Sequence, residues 1–149
     1  MVNIMSKKIA KIFDQGTSTI VCVTDQFNCE RIIEAGREIS NKSKTPLYVI
    51  SAVNVTKNKS THADVSALEH LFKISKQNNA VMTISYSDNP MQTIAEFIKS
   101  HNGRNILTGL PNDKNSALNY LWKSFPKSNF YVVDKDGEII TNKQLFVSK

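Results

Sequence analysis

No stretch of this 149-residue chain approaches the ~20 consecutive apolar residues that a membrane-spanning helix needs. Its first residues, Met1 to Lys11, carry neither a long apolar core nor a small-residue cleavage site, so a secretory leader is not expected. There are only two cysteines, Cys22 and Cys29, and their spacing matches neither a disulfide framework nor a zinc site. Reduced thiols in a cytoplasmic protein are the expectation, with a redox role for Cys29 at the start of a helix as the lesser alternative. Three histidines are equally sparse. His62 and His70 stand eight apart, two helical turns and too far for a shared ion, and His101 falls at a helix end. No metal is expected. A G-x-S-x-G elbow, a Walker loop and a paired-carboxylate setting are all missing, so no catalytic residue is assigned and an enzyme is not expected, a weak nucleotide hydrolase ranking last.

Charge of one sign is in moderate excess: 19 Lys and Arg against 13 Asp and Glu, a formal net charge of +6. That balance could attract nucleic acid, but the lysines are scattered and no aromatic residues interleave with them to stack bases. A solvated lysine-rich surface is the better reading. Internal repeats and low-complexity tracts are absent as well.

What is present is an alternation. Residues 1–18 read as a basic leader, in which Ile9, Ile12 and Phe13 allow a short amphipathic helix; residues 19–149 read as one domain. Thr19 to Thr24 is a continuous β-branched run suited to a strand covered on both faces. Asn28 is the expected N-cap of a helix whose apolar stripe is Ile32, Ile33, Gly36 and Ile39. Leu47 to Val53 is a second buried strand. His62 to Asn78 forms a helix with Val65, Leu68, Leu71, Phe72 and Ser75 facing inward, and Ala80 to Ser85 is strand three. Asn89-Pro90 reads as a cap followed by proline in the first helical position, and Gly103 as the residue that closes that helix. Strand four, Asn105 to Thr108, a short helix, Asn115 to Ser124, and strand five, Asn129 to Asp134, follow. Asp136-Gly137 is a tight turn into a terminal hairpin strand, Glu138 to Phe146, and explains the faint calcium-loop look of Asp134 to Glu138. Strands alternating with helices imply an α/β three-layer sandwich around a mostly parallel sheet.

The stretch from Arg104 to Asp113 carries the functional signal. A short apolar strand stops at Gly109 and turn formers follow. Ligands of open α/β sheets collect at the carboxyl ends of strands where the order reverses, and a glycine there lets backbone amides approach a phosphate. Asp25, Asp88 and Asp113 fall in loops at the same edge, where they either hold Mg²⁺ beside a phosphate or cap helices. Tyr120, Leu121, Trp122 and Phe125 read as a helix face packed on the sheet, with an aromatic partner surface as the rival.

Set in this order, the motifs resemble the universal stress protein family, and most closely the stress-protein-like domain of KdpD sensor histidine kinases. The likeness is carried by Val21-Cys-Val-Thr24, Cys29-Glu-Arg-Ile-Ile-Glu-Ala35, Pro46-Leu-Tyr-Val49, Ile94-Ala-Glu-Phe97 and Asn105-Ile-Leu-Thr-Gly109. It implies a five-stranded parallel sheet of order 3-2-1-4-5, to which the terminal hairpin is added. ATP-binding members carry G-x2-G-x9-G-[S/T] after strand four. Here only Gly109 fits; the second glycine is Asn112, and the third with its hydroxyl partner are Trp122 and Lys123. The acidic residue at the end of strand one is Thr24.

The resemblance thus implies a small signalling or stress-response module that binds an adenine nucleotide, AMP, ATP or cyclic di-AMP. Thr24, Asp25 and Gln26 would line one side of the crevice and Gly109, Leu110 and Asn112 the other. Gly109 would admit the phosphate, Thr24 and Asn112 would hydrogen-bond, and Lys123 or Lys114 would neutralise charge. A homodimer through the strand-five edge is implied too, the hairpin either mediating or covering it, as is a regulatory protein partner. The alternative is a protein-interaction module with a degenerate crevice.

Overall fold

A computed structural model of the chain describes residues 17–23, 29–54, 62–109, 117–134 and 136–141. The expected leader helix, Thr24 to Asn28, the polar loop after strand two, Leu110 to Ser116 and the hairpin beyond Thr141 lie outside the described residues. Among the described residues ten elements alternate as expected: β1 (Ser18–Cys22), α1 (Glu30–Ser43), β2 (Leu47–Asn54), α2 (His62–Gln77), β3 (Val81–Ser87), α3 (Pro90–Ser100), β4 (Gly103–Gly109), α4 (Ala117–Ser124), β5 (Asn129–Val133) and β6 (Ile139–Thr141).

The strands form one sheet in the order β3-β2-β1-β4-β5-β6. The first five are parallel, and β6 runs antiparallel to β5, pairing Val133 with Ile139 and Tyr131 with Thr141. The fold class is therefore as the sequence implies, a 3-2-1-4-5 parallel sheet extended by a hairpin. The expected open edge at β5 is covered along Tyr131 to Val133.

The sheet is packed on both faces. On one, α1 and α2 bury Ile32, Ile33, Leu71 and Ile74 against Val21, Val49 and Leu107. On the other, α3 and α4 bury Ile94, Ile98 and Leu121 against Ile20, Ile50, Ile106 and Phe130. Strand β1 lies between two parallel neighbours under both layers, and all five of its residues are buried, which is why its sequence runs apolar without alternation. Helix α1 crosses β1 closely at Gly36. A Cβ there would lie 2.5 Å from Val21 Cγ2 and 3.1 Å from Leu47 Cδ1, so this glycine is required by packing rather than by backbone freedom.

The amino-terminal edge is stitched by polar groups, of which Ser18, Thr19, Thr45 and Asn105 are buried. Thr19 and Thr45 hydroxyls share a 2.7 Å hydrogen bond; Asn105 Nδ2 donates to Thr19 Oγ1 and Ser43 Oγ; Asn129 Nδ2 donates to Asn105 Oδ1. Ser18 and Ser128 hydroxyls donate to the carbonyls of His101 and Gly103 at 2.7 Å. These residues gather at the amino-terminal ends of β1, β4 and β5 and at the end of α1, where their polar groups satisfy one another.

Three local expectations are corrected. The N-cap of α1 is Cys29, not Asn28, and it makes no side-chain cap bond. Helix α2 turns a different stripe inward: Ala67, Leu71, Ile74 and Ser75 are buried, while Val65 and Phe72 are 55% and 56% exposed. The residue closing α3 in left-handed geometry is Asn102 (φ 52°), as Lys44 and Asn79 do for α1 and α2. Gly103 instead begins β4 where a Cβ would meet Ile20 Cδ1 at 2.7 Å. Elsewhere the cap is as read: Asn89 Oδ1 accepts from Gln92 N–H ahead of Pro90. So is the turn, where Gly137 has φ 82° and Asp134 Oδ1 accepts from the amides of Asp136 and Glu138.

Candidate functional site

Strands β1 and β4 are neighbours, but their chains leave in opposite directions. From β1 the path runs through α1 on one face to β2; from β4 it runs through α4 on the other face to β5. The strand order thus reverses between β1 and β4, and their carboxyl ends are the switch point at which open α/β sheets bind ligands. The described residues at this end are Cys22 on β1, Val23 just after it, and Thr108 and Gly109 on β4, with Cys22 and Thr108 in register. Cys29 and Glu30 at the start of α1 stand beside it in the chain order.

Gly109 ends β4, as the sequence suggests, and pairs with Val133 of β5. Its backbone is not left-handed; its limit is room. A Cβ at this position would stand 3.1 Å from Ile32 Cδ1 of α1, a close fit to which the isoleucine would have to yield slightly. The glycine is thus explained by packing on one side and remains compatible with backbone approach to a ligand on the other.

Thr108 is the residue sequence reasoning passes over. Two positions beyond Ile106, its side chain is on the α3/α4 face with Cys22. Its Oγ1 is buried and has no hydrogen-bond partner among the described residues. Buried hydroxyls are almost always paired, and an unpaired one costs ~1–3 kcal/mol, so an orphan at the mouth of a switch point marks a group able to meet a polar ligand. The only signal in the sequence is a threonine as the last side chain before a glycine at a strand end.

The remaining candidates divide. Thr24, Asp25, Gln26, Leu110 and Asn112 lie outside the described residues, in the segments that follow β1 and β4 in the sequence. Lys123 is exposed in the last turn of α4. Because α4 runs away from the crevice end, Lys123 is about 9 Å further down the helix axis than Ala117. Trp122 and Lys123, which occupy the last motif positions, are the sixth and seventh residues of α4. Only the first four amides of a helix lack intrahelical acceptors, so these two cannot cradle a phosphate. Trp122 instead stacks on Phe130 with ring centroids 6.5 Å apart, which supports the packed-face reading of this helix; Tyr120 beside it is half exposed.

Asp88 follows β3, two strands from β1, and is exposed; the helix cap beside it is Asn89. No cluster of metal-ligating side chains occurs among the described residues. Cys22 and Cys29 are both buried and lie in cores on opposite faces of the sheet. Burial alone pushes the Cys22 thiol up to about 12, far from a reactive thiolate. His70 Nε2 lies 2.9 Å from Glu30 Oε1, and His101 stacks on Phe97 at 3.9 Å, so neither ring is arranged for a metal. No helix among the described residues is long and apolar enough to cross a membrane.

No family model matches the sequence, and no curated protein does. Solved structures do match. A universal stress protein from Archaeoglobus fulgidus superposes with a TM-score of 0.59 at 17% identity, over 87% of this chain and 99% of that one. Another from the same organism, in complex with dAMP, gives 0.53 at 16%, over 83% and 98%. A universal stress protein in complex with cAMP gives 0.52 at 11%, over 80% and 98%. The chain therefore shares the fold of these proteins across nearly their whole length.

Proposed function

We propose that this chain is a cytoplasmic signalling or stress-response module of the universal stress protein type, built as one domain over residues 19–149 behind a basic leader, that binds an adenine nucleotide at the carboxyl ends of β1 and β4. The observation that carries the reading is the unpartnered Thr108 hydroxyl beside Gly109 at the switch point. Support comes from the shared fold with a dAMP-bound and a cAMP-bound protein. In this reading Thr24, Asp25 and Gln26 face Gly109, Leu110 and Asn112 across the crevice, and Thr108 hydrogen-bonds from the floor. Lys123 contributes at most long-range attraction.

The helical state of Trp122 and Lys123 favours a small or diester phosphate over a triphosphate, because the last arm of the phosphate-holding motif is engaged within α4. That preference agrees with the sequence likeness to KdpD-type domains and makes cyclic di-AMP and AMP the leading candidates. Binding, not turnover, is the proposed role. The test is extraction of the purified protein and identification of any released nucleotide. A stoichiometric adenine nucleotide supports the reading, while a nucleotide-free protein that takes none up at millimolar concentration overturns it.

A second reading, a protein-interaction module with a degenerate crevice, is favoured by one observation: the large apolar residues left exposed on α2 and β3.

A further inference from the structure

The two ends of the sheet are finished differently. At one end β6 pairs with β5 and covers it along Tyr131 to Val133. At the other end β3 is seven residues long, Val81-Met-Thr-Ile-Ser-Tyr-Ser87, and only its β2 side is paired among the described residues. It contains no charge, proline or glycine, the devices that normally keep an edge from pairing. None of its residues is fully buried, and Val81 and Tyr86 are 58% and 63% exposed.

Helix α2 adds an apolar stripe on the same flank. Successive residues of a helix are rotated by about 100°, so Phe72 and His70 project to opposite sides of the buried Leu71. His70 reaches Glu30 on α1. Phe72 therefore points away from α1, toward the side of the layer where β3 is the last strand, and Val65, two turns earlier, shares that direction. Met82 and Ile84 pack into the α1/α2 layer, so Tyr86, in phase with them, lies on that face as well. Exposed Val65, Phe72 and Tyr86 thus border the unpaired strand on one side of the sheet.

We propose that this flank is a homodimer interface in which β3 pairs antiparallel with β3 of a second copy, making one continuous sheet of twelve strands. An unpaired strand offers alternating backbone donors and acceptors that only another extended strand satisfies. The neutral sequence points to a second copy. A two-fold axis normal to the sheet through Ile84 opposes Val81 with Ser87, Met82 with Tyr86 and Thr83 with Ser85, and no like charges meet. The same axis keeps the α1/α2 layer on one side, so the Val65–Phe72 stripe meets its own copy, as an isologous interface requires. The inference is independent of the nucleotide reading and locates the proposed dimer away from β5.

The test is sedimentation velocity of the full chain across a concentration series, with Phe72→Lys/Tyr86→Lys and Phe72→Glu/Tyr86→Glu double variants. Both substituted positions are exposed, and unchanged far-UV circular dichroism certifies their fold. A wild-type dimer, monomeric variants at least a hundredfold weaker in self-association, and a dimer restored on mixing the two variants are expected. Three results would overturn the proposal: a wild-type monomer at all concentrations, a dimer indifferent to these substitutions but broken by Ile140→Lys on β6, or a monomer that pairs only with an unrelated extended peptide. The second would leave a homodimer standing and move it to the other edge.

Discussion

Thr108 stands in register with Cys22 across β4 and β1, and of this pair the buried hydroxyl has no hydrogen-bond partner among the described residues while the buried thiol is held protonated by its surroundings. A polar orphan beside an inert apolar neighbour is costly in a core. At a switch point it is the expected resting state of a ligand group.

Thr108→Val removes the hydroxyl and keeps the β-branched shape. Because the group is unsatisfied, its loss should leave the ligand-free protein as stable as before or up to about 1 kcal/mol more stable. Nucleotide affinity should fall at least tenfold. Urea denaturation with and without ligand reads both effects, and a variant that loses stability yet binds normally would return Thr108 to the structural core.

Gly36→Ala places a methyl 2.5 Å from Val21 Cγ2. Overpacking of this kind costs about 1–3 kcal/mol, and Val21→Ala should recover part of it in a double-mutant cycle. Additive losses in chemical denaturation would show that the two residues do not oppose each other.

The Cys22 thiol is raised from 9.0 to about 12 by burial, so the folded state holds its proton where the unfolded chain releases it. Stability tied to this group is fully present below pH 9 and is lost as the pH rises from 9 toward 12, by at most ~1.4 kcal/mol per unit. The melting temperature should fall over that range less steeply in Cys22→Ala than in the wild type, after allowing for the cavity. Identical slopes would contradict a buried, protonated thiol. In the folded protein at pH 8 the thiol should also resist alkylation.

Asn105 bridges the starts of β1, α1's last turn and β5 through one amide. Asn105→Ala should cost about 1–3 kcal/mol, because it removes the three hydrogen bonds made by one buried amide. A loss under 0.5 kcal/mol in urea titration would show that water replaces the network.

Much of this was readable from composition and spacing. The unbroken run from Thr19 to Thr24 suits a doubly covered strand, and Ser18–Cys22 is one; Asn89-Pro90 opens a helix, and Asp136-Gly137 makes a turn through the left-handed backbone that glycine accepts. The failures have physical causes. In α2, stripes through Val65–Phe72 and through Ala67–Ile74 both include Leu71, and periodicity cannot choose between them. The choice is made by α1, whose Glu30 meets His70, and by the end of the sheet, which leaves Phe72 uncovered. Gly103 mimics a helix stop, yet Asn102 adopts the left-handed turn and Gly103 serves close packing against Ile20. Lys123 looked adjacent to the crevice in the motif, but its place along α4 carries it down the helix. Thr108 was invisible because an unsatisfied hydroxyl is a property of its surroundings, not of its own residue type.

The most direct test of the account is a thermal-shift panel of ATP, ADP, AMP and cyclic di-AMP, with and without Mg²⁺, on the wild type and Thr108→Val. A ligand at a hundred times its Kd adds ~2.7 kcal/mol. In a chain of this size that is a rise of roughly 5–10 °C. The account predicts that rise in the wild type with AMP or cyclic di-AMP, a smaller one with ATP, and little or none in the variant. A flat panel in the wild type, or an equal shift in both proteins, would contradict a nucleotide site at the β1–β4 switch point.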